Sequence, residues 1–180
     1  MSRPTSPEQG QVALDPPPLQ ALRDLALRPA EFFASLPRIA GVGRSAVFAL
    51  GCIAVSTLLA WAATGFSDAL AEDLAIPLVF DLVFFGLYVL ITHAFVVLVL
   101  RGRSAGMSTT FRIVAFSQIS QLVNWIPTVG LPIGLAYGSV LAVIGIRKMH
   151  ETTLSRAIAI VAIPLVLAAG IAGVYLVAVS

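Results

Sequence analysis

The chain has 180 residues, of which 58% are hydrophobic and 11% are charged, and its formal net charge is +2. An ordinary soluble domain carries about 25% charged residues, and a soluble protein of this size cannot cover so much apolar surface. The composition therefore excludes a soluble globular domain and predicts a membrane protein. The small positive charge is no evidence for nucleic acid binding, and the single cysteine, Cys52, excludes an internal disulfide framework.

The segment before the first long apolar run is expected to lie outside the membrane. Residues 1–18 are polar and rich in proline, so we predict a disordered cytoplasmic tail. Residues 19–40 are predicted to form short amphipathic helices, with Phe32 and Phe33 on the apolar face of the second one. The favoured interpretation is an interfacial helix whose phenylalanines lie in the acyl region. The alternative is a helix packed on the cytoplasmic ends of the spans.

Five long apolar runs follow, each close to the roughly 20 residues that a helix needs to cross a bilayer. They cover residues 46–64, 76–100, 110–126, 128–146 and 157–179. The sequence thus predicts an all-α polytopic membrane protein, a bundle of five transmembrane helices within residues 44–180.

The Lys and Arg residues occupy alternate gaps between these runs, which predicts the orientation of the chain. They precede the first run and cluster around the second and fourth gaps, whereas the first gap holds only acids and the third holds no charge. Because Lys and Arg stay on the cytoplasmic side during insertion, we expect a cytoplasmic N-terminus and an external C-terminus. Trp61 and Trp125 fall at the span ends assigned to the outside, where interfacial aromatic residues are common.

The third and fourth runs are unusual for membrane spans. The third is barely long enough to cross and is rich in polar side chains, and Pro127 and Pro132 bracket the connection to the fourth. Two full spans are favoured over a re-entrant helical hairpin because Trp125 lies where an outer anchor would be.

Polar side chains inside the second and third runs predict an intramembrane polar seam. Ionisable groups inside a membrane are functional candidates, because their insertion costs about 2.5–3.5 kcal/mol each. The favoured interpretation for Asp81 and His93 is nevertheless a structural role in which these groups hydrogen-bond and hold the spans together, with proton or ligand handling as the alternative. The predicted seam comprises Asp81, His93, Ser117, Gln118, Gln121 and Asn124.

Depth along the helices predicts which members of the seam meet. Asp81 and Gln121 are each about 7 Å from the outer end, so Asp81 is expected near Gln121 or Asn124. His93 is expected further in, near Ser117 or its neighbour at position 118.

Glycines in the fourth run predict close helix packing. Gly130, Gly134 and Gly138 recur every four residues and leave a groove for another helix backbone. We expect the partner within the same chain, with a second protomer as the alternative.

No motif predicts catalysis or metal binding. The sequence lacks H-E-x-x-H, G-x-S-x-G and Walker patterns, and two histidines with one cysteine cannot build a structural zinc site. No enzymatic activity, no cofactor and no metal are expected.

Several segments, taken in order, resemble one known family. They are RPAEFF at residues 28–33, the histidine at position 93, TFRIVAFS at 110–117 and GIRKMHETTLSRA at 145–157. Over residues 22–178 the chain resembles the prokaryotic branch of the Yip/YIPF (Ypt/Rab-interacting protein) domain family. The resemblance implies five spans, a cytosolic N-terminus and a short external C-terminus.

The resemblance also bears on partners. Eukaryotic members bind prenylated Rab-type GTPases, but their D-L-Y-G-P sequence is absent and their Gly-Tyr in the third span is Ala115-Phe116 here. The Ala- and Arg-rich, Lys-poor composition indicates a bacterium, so we expect the inner membrane as location and no Rab-type GTPase as partner.

The sequence therefore favours a non-enzymatic, self-associating membrane scaffold or adaptor whose cytoplasmic face binds other membrane proteins or anionic lipid. The alternative function is a small transporter, channel or lipid-handling protein that uses the polar seam. His150 and Glu151 could instead belong to a solvated loop that caps the fifth span. The predicted contact face comprises Arg28, Phe32, Phe33, Arg38, Arg101, Arg103, Arg147, Lys148, His150 and Glu151.

Overall fold

A computed structural model of the protein describes residues 14–37, 40–63, 65–66 and 71–179, with the side chains of 71, 73 and 167–179 left out. The predictions for residues 1–13 and Arg38 lie outside this range. The described chain is helical and contains no strand, which confirms the all-α prediction. Its α-helices are α1 (Pro18–Leu27), α2 (Pro29–Ser35), α3 (Gly43–Ala63), α4 (Ile76–Leu100), α5 (Met107–Ser117), α6 (Gly130–Met149) and α7 (Leu154–Val179).

Among the residues whose side chains are described, three helices, α3, α4 and α6, are long and apolar enough to cross a membrane. Many of their large apolar side chains are exposed on the outside of the bundle, among them Leu50, Phe80 and Leu135. Such a surface is stable in lipid but not in water. The helix α7 has 26 residues and contains Pro164 within its length.

The third apolar run does not form one continuous helix, so the prediction of a single transmembrane helix over residues 110–126 is wrong. The α5 helix ends at Ser117, and a 3₁₀-helix over Gln118–Val123 and a series of turns lead into α6. Ser117 Oγ donates to the carbonyl of Ile113 at 2.9 Å, a back-bond that competes with regular helix geometry. The carbonyl of Gln121 accepts a hydrogen bond from Ser56 Oγ of α3 at 2.7 Å, which stabilises the irregular backbone inside the bundle.

The helices α1 and α2 pack against the bundle rather than extending an apolar face into lipid. Phe32 and Phe33 are only 3% and 1% exposed. The Phe32 ring lies 4.9 Å from that of Phe116 in an edge-to-face arrangement, and Phe116 in turn contacts Phe48 of α3. The interfacial interpretation of these phenylalanines is therefore wrong, and the alternative of a helix packed on the spans agrees with the structure. Helices this short cannot bury an apolar face without such a partner.

The predicted disorder does not extend over residues 14–18. Asp15 is fully buried, and Pro18 begins α1 at the position where proline suits a helix best. The N-terminal segment is thereby part of the folded core, together with the buried side chains Leu25, Ile113, Leu141 and Ile146.

Candidate functional site

A cavity of about 280 Å³ lies between α4, the 3₁₀-helix and α6. Its apolar lining includes Phe85 and Leu165, while the polar groups come from α4, the end of α5, the 3₁₀-helix with the turn after it, and α6. Five of the six residues of the predicted seam share this cavity. Its polar lining consists of Asp81, Tyr88, Ser117, Gln118, Ser120, Gln121, Asn124 and Ser139.

Asp81 forms the acidic part of the lining. Its carboxyl group lies within hydrogen-bonding distance of the Thr57 hydroxyl on α3. That hydroxyl already donates its single proton to the carbonyl of Ile53 at 2.9 Å. Among the described residues that line the cavity there is no Lys, Arg or His. The carboxyl group of Asp81 is thus the one carboxylic acid in the described part of the cavity lining, which contains no basic residue.

Asn124 provides a second polar group without a full set of partners. Its amide nitrogen donates to the side-chain oxygen of Gln121, whereas its own side-chain oxygen is buried without a hydrogen-bond partner. This oxygen is packed against Gly134 of α6, where a Cβ atom would stand, and so it is not an accessible surface of the cavity.

The glycines of α6 allow the 3₁₀-helix to pack closely against α6, so that both elements line the cavity. A Cβ atom on Gly134 would lie 2.8 Å from the carbonyl oxygen of Ser120, and one on Gly138 would lie 2.6 Å from Ser120 Oγ. Gly130 likewise faces the carbonyl of Asn124. The partner of this glycine face is therefore a segment of the same chain.

His93 lies apart from the cavity, so its predicted proximity to Ser117 or Gln118 is wrong. Its Nδ1 atom is 3.0 Å from Thr110 Oγ1, which is 3.3 Å from Nε2 of His150. The Ala105 N–H donates to the other ring nitrogen of His150, Nδ1, at 3.0 Å. The two histidines of the chain thus share one threonine hydroxyl and join α4, α5 and the turn after α6.

The hydrogen bonds assign a protonation state to this second polar cluster. Because Nδ1 of His150 accepts from Ala105, the neutral ring carries its proton on Nε2 and donates it to Thr110. Thr110 can then donate to His93. Burial, and secondly the nearby His93 ring, lower the pKa of His150 to about 4, so the ring is neutral at physiological pH.

This second cluster offers no site for chemistry. Thr110 is fully buried, so no substrate can approach its hydroxyl. His150 is also buried, at 5% exposure, and so it is not available on the predicted contact face. Within the described part of the chain, no group of three or more His, Cys, Asp or Glu could hold a metal ion.

The remaining basic residues of the contact face are exposed at one end of the bundle. Arg101 and Arg103 follow α4, Arg147 and Lys148 end α6, and Arg28 separates α1 from α2. The end of α6 is joined to α5 and to the segment before it, because His150 contacts Thr110 and Ala105. Glu151 is exposed beside them.

One buried ion pair at this end was not predicted from the sequence. The Arg112 side chain of α5 binds the carboxylate of Asp15 and donates to the carbonyl of Pro37 at 2.7 Å. Arg44 donates to the main-chain carbonyl of Asp15 at 2.6 Å. An arginine inside an apolar run was the available signal, since such a side chain needs an acidic partner.

Comparison with known sequences identifies a family. The model of the Yip1 domain family matches residues 23–176, which is most of the chain, and confirms the resemblance drawn from the sequence. Comparison with curated proteins and with solved structures gave no significant match.

Proposed function

Since the chain belongs to the Yip1 domain family, we propose that it is an integral membrane scaffold of the Yip type. It binds and organises partner proteins or lipids at one polar face, and it does not catalyse a reaction. The observation that carries this proposal is the concentration of exposed basic side chains at one end of an otherwise apolar bundle. They are Arg23, Arg28, Arg44, Arg101, Arg103, Arg147, Lys148 and Arg156.

The proposed orientation places this basic end in the cytoplasm of a bacterial cell, with the bundle in the inner membrane. The charge distribution supports it, because Lys and Arg remain on the cytoplasmic side. The proposed topology has five crossings. The third consists of α5 and the 3₁₀-helix, whose combined length is roughly 28 Å and thus close to the hydrocarbon thickness of about 30 Å.

Acidic surfaces are the proposed ligands of the basic end. Glu31 and Glu151 are the exposed acids among the described residues there, so positive charge dominates. The folded N-terminal segment gives this face a defined shape, because α1 and α2 are held on the bundle by Phe32 and Phe33 and by the Asp15–Arg112 pair. Charge complementarity of this kind steers association and is weakened by salt.

The test is quantitative cross-linking in native membranes with a charge-neutralised variant. We expect Arg101→Gln, Arg103→Gln, Arg147→Gln and Lys148→Gln together to remove specific cross-linked partners without changing the amount of inserted protein. The matched control is Glu72→Gln, which changes an exposed charge in the segment before α4, at the opposite end. An unchanged set of partners in the quadruple variant would contradict the proposal.

Three further measurements separate the elements of this proposal. Purified protein in nanodiscs with neutral or anionic lipid shows whether the basic end selects lipid as well as protein. Single-molecule photobleaching in membranes counts subunits and tests the proposed self-association, which a single step per particle would contradict. A reporter at the C-terminus tests orientation, and a cytoplasmic signal would overturn the proposed topology.

A second candidate function is lipid handling within the membrane. The cavity beside α4 and α6 favours it, because Phe84, Leu131 and Leu135 on its rim are exposed where lipid surrounds the bundle. Reconstitution with fluorescent lipid analogues tests this function, and it loses its support if the protein neither binds nor moves any lipid tested.

A further inference from the structure

We infer that the cavity between α4, the 3₁₀-helix and α6 binds the head group of a single-chain amphiphilic amine, with its hydrocarbon chain passing over the rim into the bilayer. This inference rests on the second candidate function, because it names the chemical class that such a lipid-handling site would take.

The charge of the cavity selects the head group. Of the lining residues that the structure describes, Asp81 is the one carboxylic acid and none is basic. A carboxylate in a region of low dielectric constant attracts a cation strongly, whereas an anionic phosphate or carboxylate head group would be repelled. The ligand is therefore expected to carry positive charge and no negative charge.

The hydrogen-bonding capacity of the cavity leads to the same class of ligand. Asp81 keeps free acceptor capacity, because an ionised carboxylate has about four lone-pair sites and the Thr57 hydroxyl can fill at most one of them. A protonated primary amine has three donors and no acceptor, so it complements the free acceptor sites of this carboxylate.

The helix dipole of α6 acts in the opposite direction but is the weaker effect. Its positive end lies at Gly130, near one end of the cavity. This effect is confined to the first turn and is typically worth less than 1 kcal/mol, whereas a desolvated charge pair is worth several times more. Gly134 and Gly138, which also line the cavity, lie beyond that first turn.

The size and the rim of the cavity limit the rest of the ligand. A volume of about 280 Å³ is slightly below the range of about 300–1,000 Å³ that is usual for small-molecule pockets. It suits an amine and the first part of one chain, but not a whole phospholipid. The exposed rim residues Phe84, Leu131 and Leu135 give the remaining chain an apolar path into the surrounding lipid.

The experiment uses three photoreactive probes of equal chain length, namely diazirine derivatives of dodecylamine, dodecanol and dodecanoic acid, with the full chain in lipid nanodiscs. We expect saturable labelling of peptides from α4 and α6 by the amine, and weak labelling by the acid. Asp81→Asn should weaken labelling by the amine by about tenfold or more. The control Glu31→Gln also converts a carboxylate to an amide, but on the exposed surface, and should leave the labelling unchanged.

Each remaining outcome decides against one part of the inference. Equal labelling of the cavity by amine and alcohol, unaffected by Asp81→Asn, overturns the amine assignment but leaves lipid handling supported. Labelling of α4 and α6 no stronger than that of the outer face of α3 overturns both. If Asp81→Asn does not assemble, Leu135→Trp on the rim takes its place. It keeps the carboxylate and should reduce labelling by the amine, and undiminished labelling of that variant would refute the site.

Discussion

Arg112 and Asp15 form a buried ion pair that joins α5 to the segment just before α1, 97 residues earlier in the chain. Nε of the guanidinium lies 2.9 and 3.0 Å from the two carboxylate oxygens, and the two residues are 1% and 0% exposed. The pair fixes the N-terminal helices on the bundle, because the same guanidinium also binds the carbonyl of Pro37 after α2.

Removing the acid of this pair should release the N-terminal segment. Asp15→Ala leaves the Arg112 guanidinium buried without its counter-ion, which typically costs about 3–5 kcal/mol. We expect a lower unfolding temperature in detergent and faster hydrogen exchange over residues 14–37. Glu31→Ala is the control, because its ion pair with Arg28 is exposed and should contribute little. Equal stability of the two variants would show that the buried pair does not hold the segment.

The two classes of glycine in the long helices should respond oppositely to alanine. Gly134→Ala would place a Cβ atom 2.8 Å from the Ser120 carbonyl oxygen, and such overpacking costs about 1–3 kcal/mol. Gly86 of α4 has nothing within 4 Å of the same atom, so Gly86→Ala should stabilise the helix by roughly 0.5–1 kcal/mol. Thermal unfolding of both variants in the same detergent measures the difference, and a destabilised Gly86→Ala variant would reveal a packing partner on that face.

Phe33 should behave as a core residue and not as a membrane anchor. Its ring lies 5.4 Å from that of Phe32, and a Cβ on Gly145 would lie 3.1 Å from it. Phe33→Ala should cost about 3–5 kcal/mol in detergent, where no bilayer is present. Leu19→Ala, at an exposed position of α1, is the control and should have little effect. A Phe33→Ala variant that loses stability only in liposomes would favour the interfacial interpretation.

The packing around His150 should weaken in acid. Its pKa of about 4 in the folded protein is below the ordinary value of 6.5, so between these values the unfolded chain binds more protons. The contribution of the neutral ring to stability is therefore fully present above pH 6.5 and is lost as the pH falls towards 4. A protonated ring also presents a donor at Nδ1 to the N–H of Ala105, so their hydrogen bond breaks.

Hydrogen exchange at the Ala105 amide measures this effect directly. We expect the protection factor of this amide, which is the intrinsic exchange rate divided by the observed rate, to fall as the pH is lowered from 6.5 to 4. His150→Gln removes the titrating ring, so it should abolish this fall in protection. The prediction fails if the wild-type protein and this variant show the same pH dependence. Because His93 shares the hydroxyl of Thr110 with His150, His93→Gln serves to separate the two rings.

Local sequence patterns predicted the elements of the fold well where the pattern itself is the physical cause. The length of the apolar runs predicted α3, α4 and α6. The depth of the polar residues along each run predicted that Asp81 lies near the polar residues of the 3₁₀-helix, and these residues line one cavity. The depth of the polar residues predicted the wrong neighbour for His93. Its ring lies within hydrogen-bonding distance of Thr110, a near neighbour across the α4–α5 turn. The sequence pattern also failed for the continuous third helix, because side chains that bond to their own backbone favour turns over regular helix.

By itself, the sequence determined that this chain is a helical membrane protein, because apolar length and composition decide which solvent a helix requires. The match over residues 23–176 separately determined that it belongs to the Yip1 domain family. Only the tertiary structure decided that Phe32 and Phe33 face protein, that Asp15 neutralises Arg112, and that the α6 glycines receive the 3₁₀-helix. Those contacts join residues far apart in the chain. Their energy depends on which surfaces meet, and neither local propensity nor periodicity contains that information.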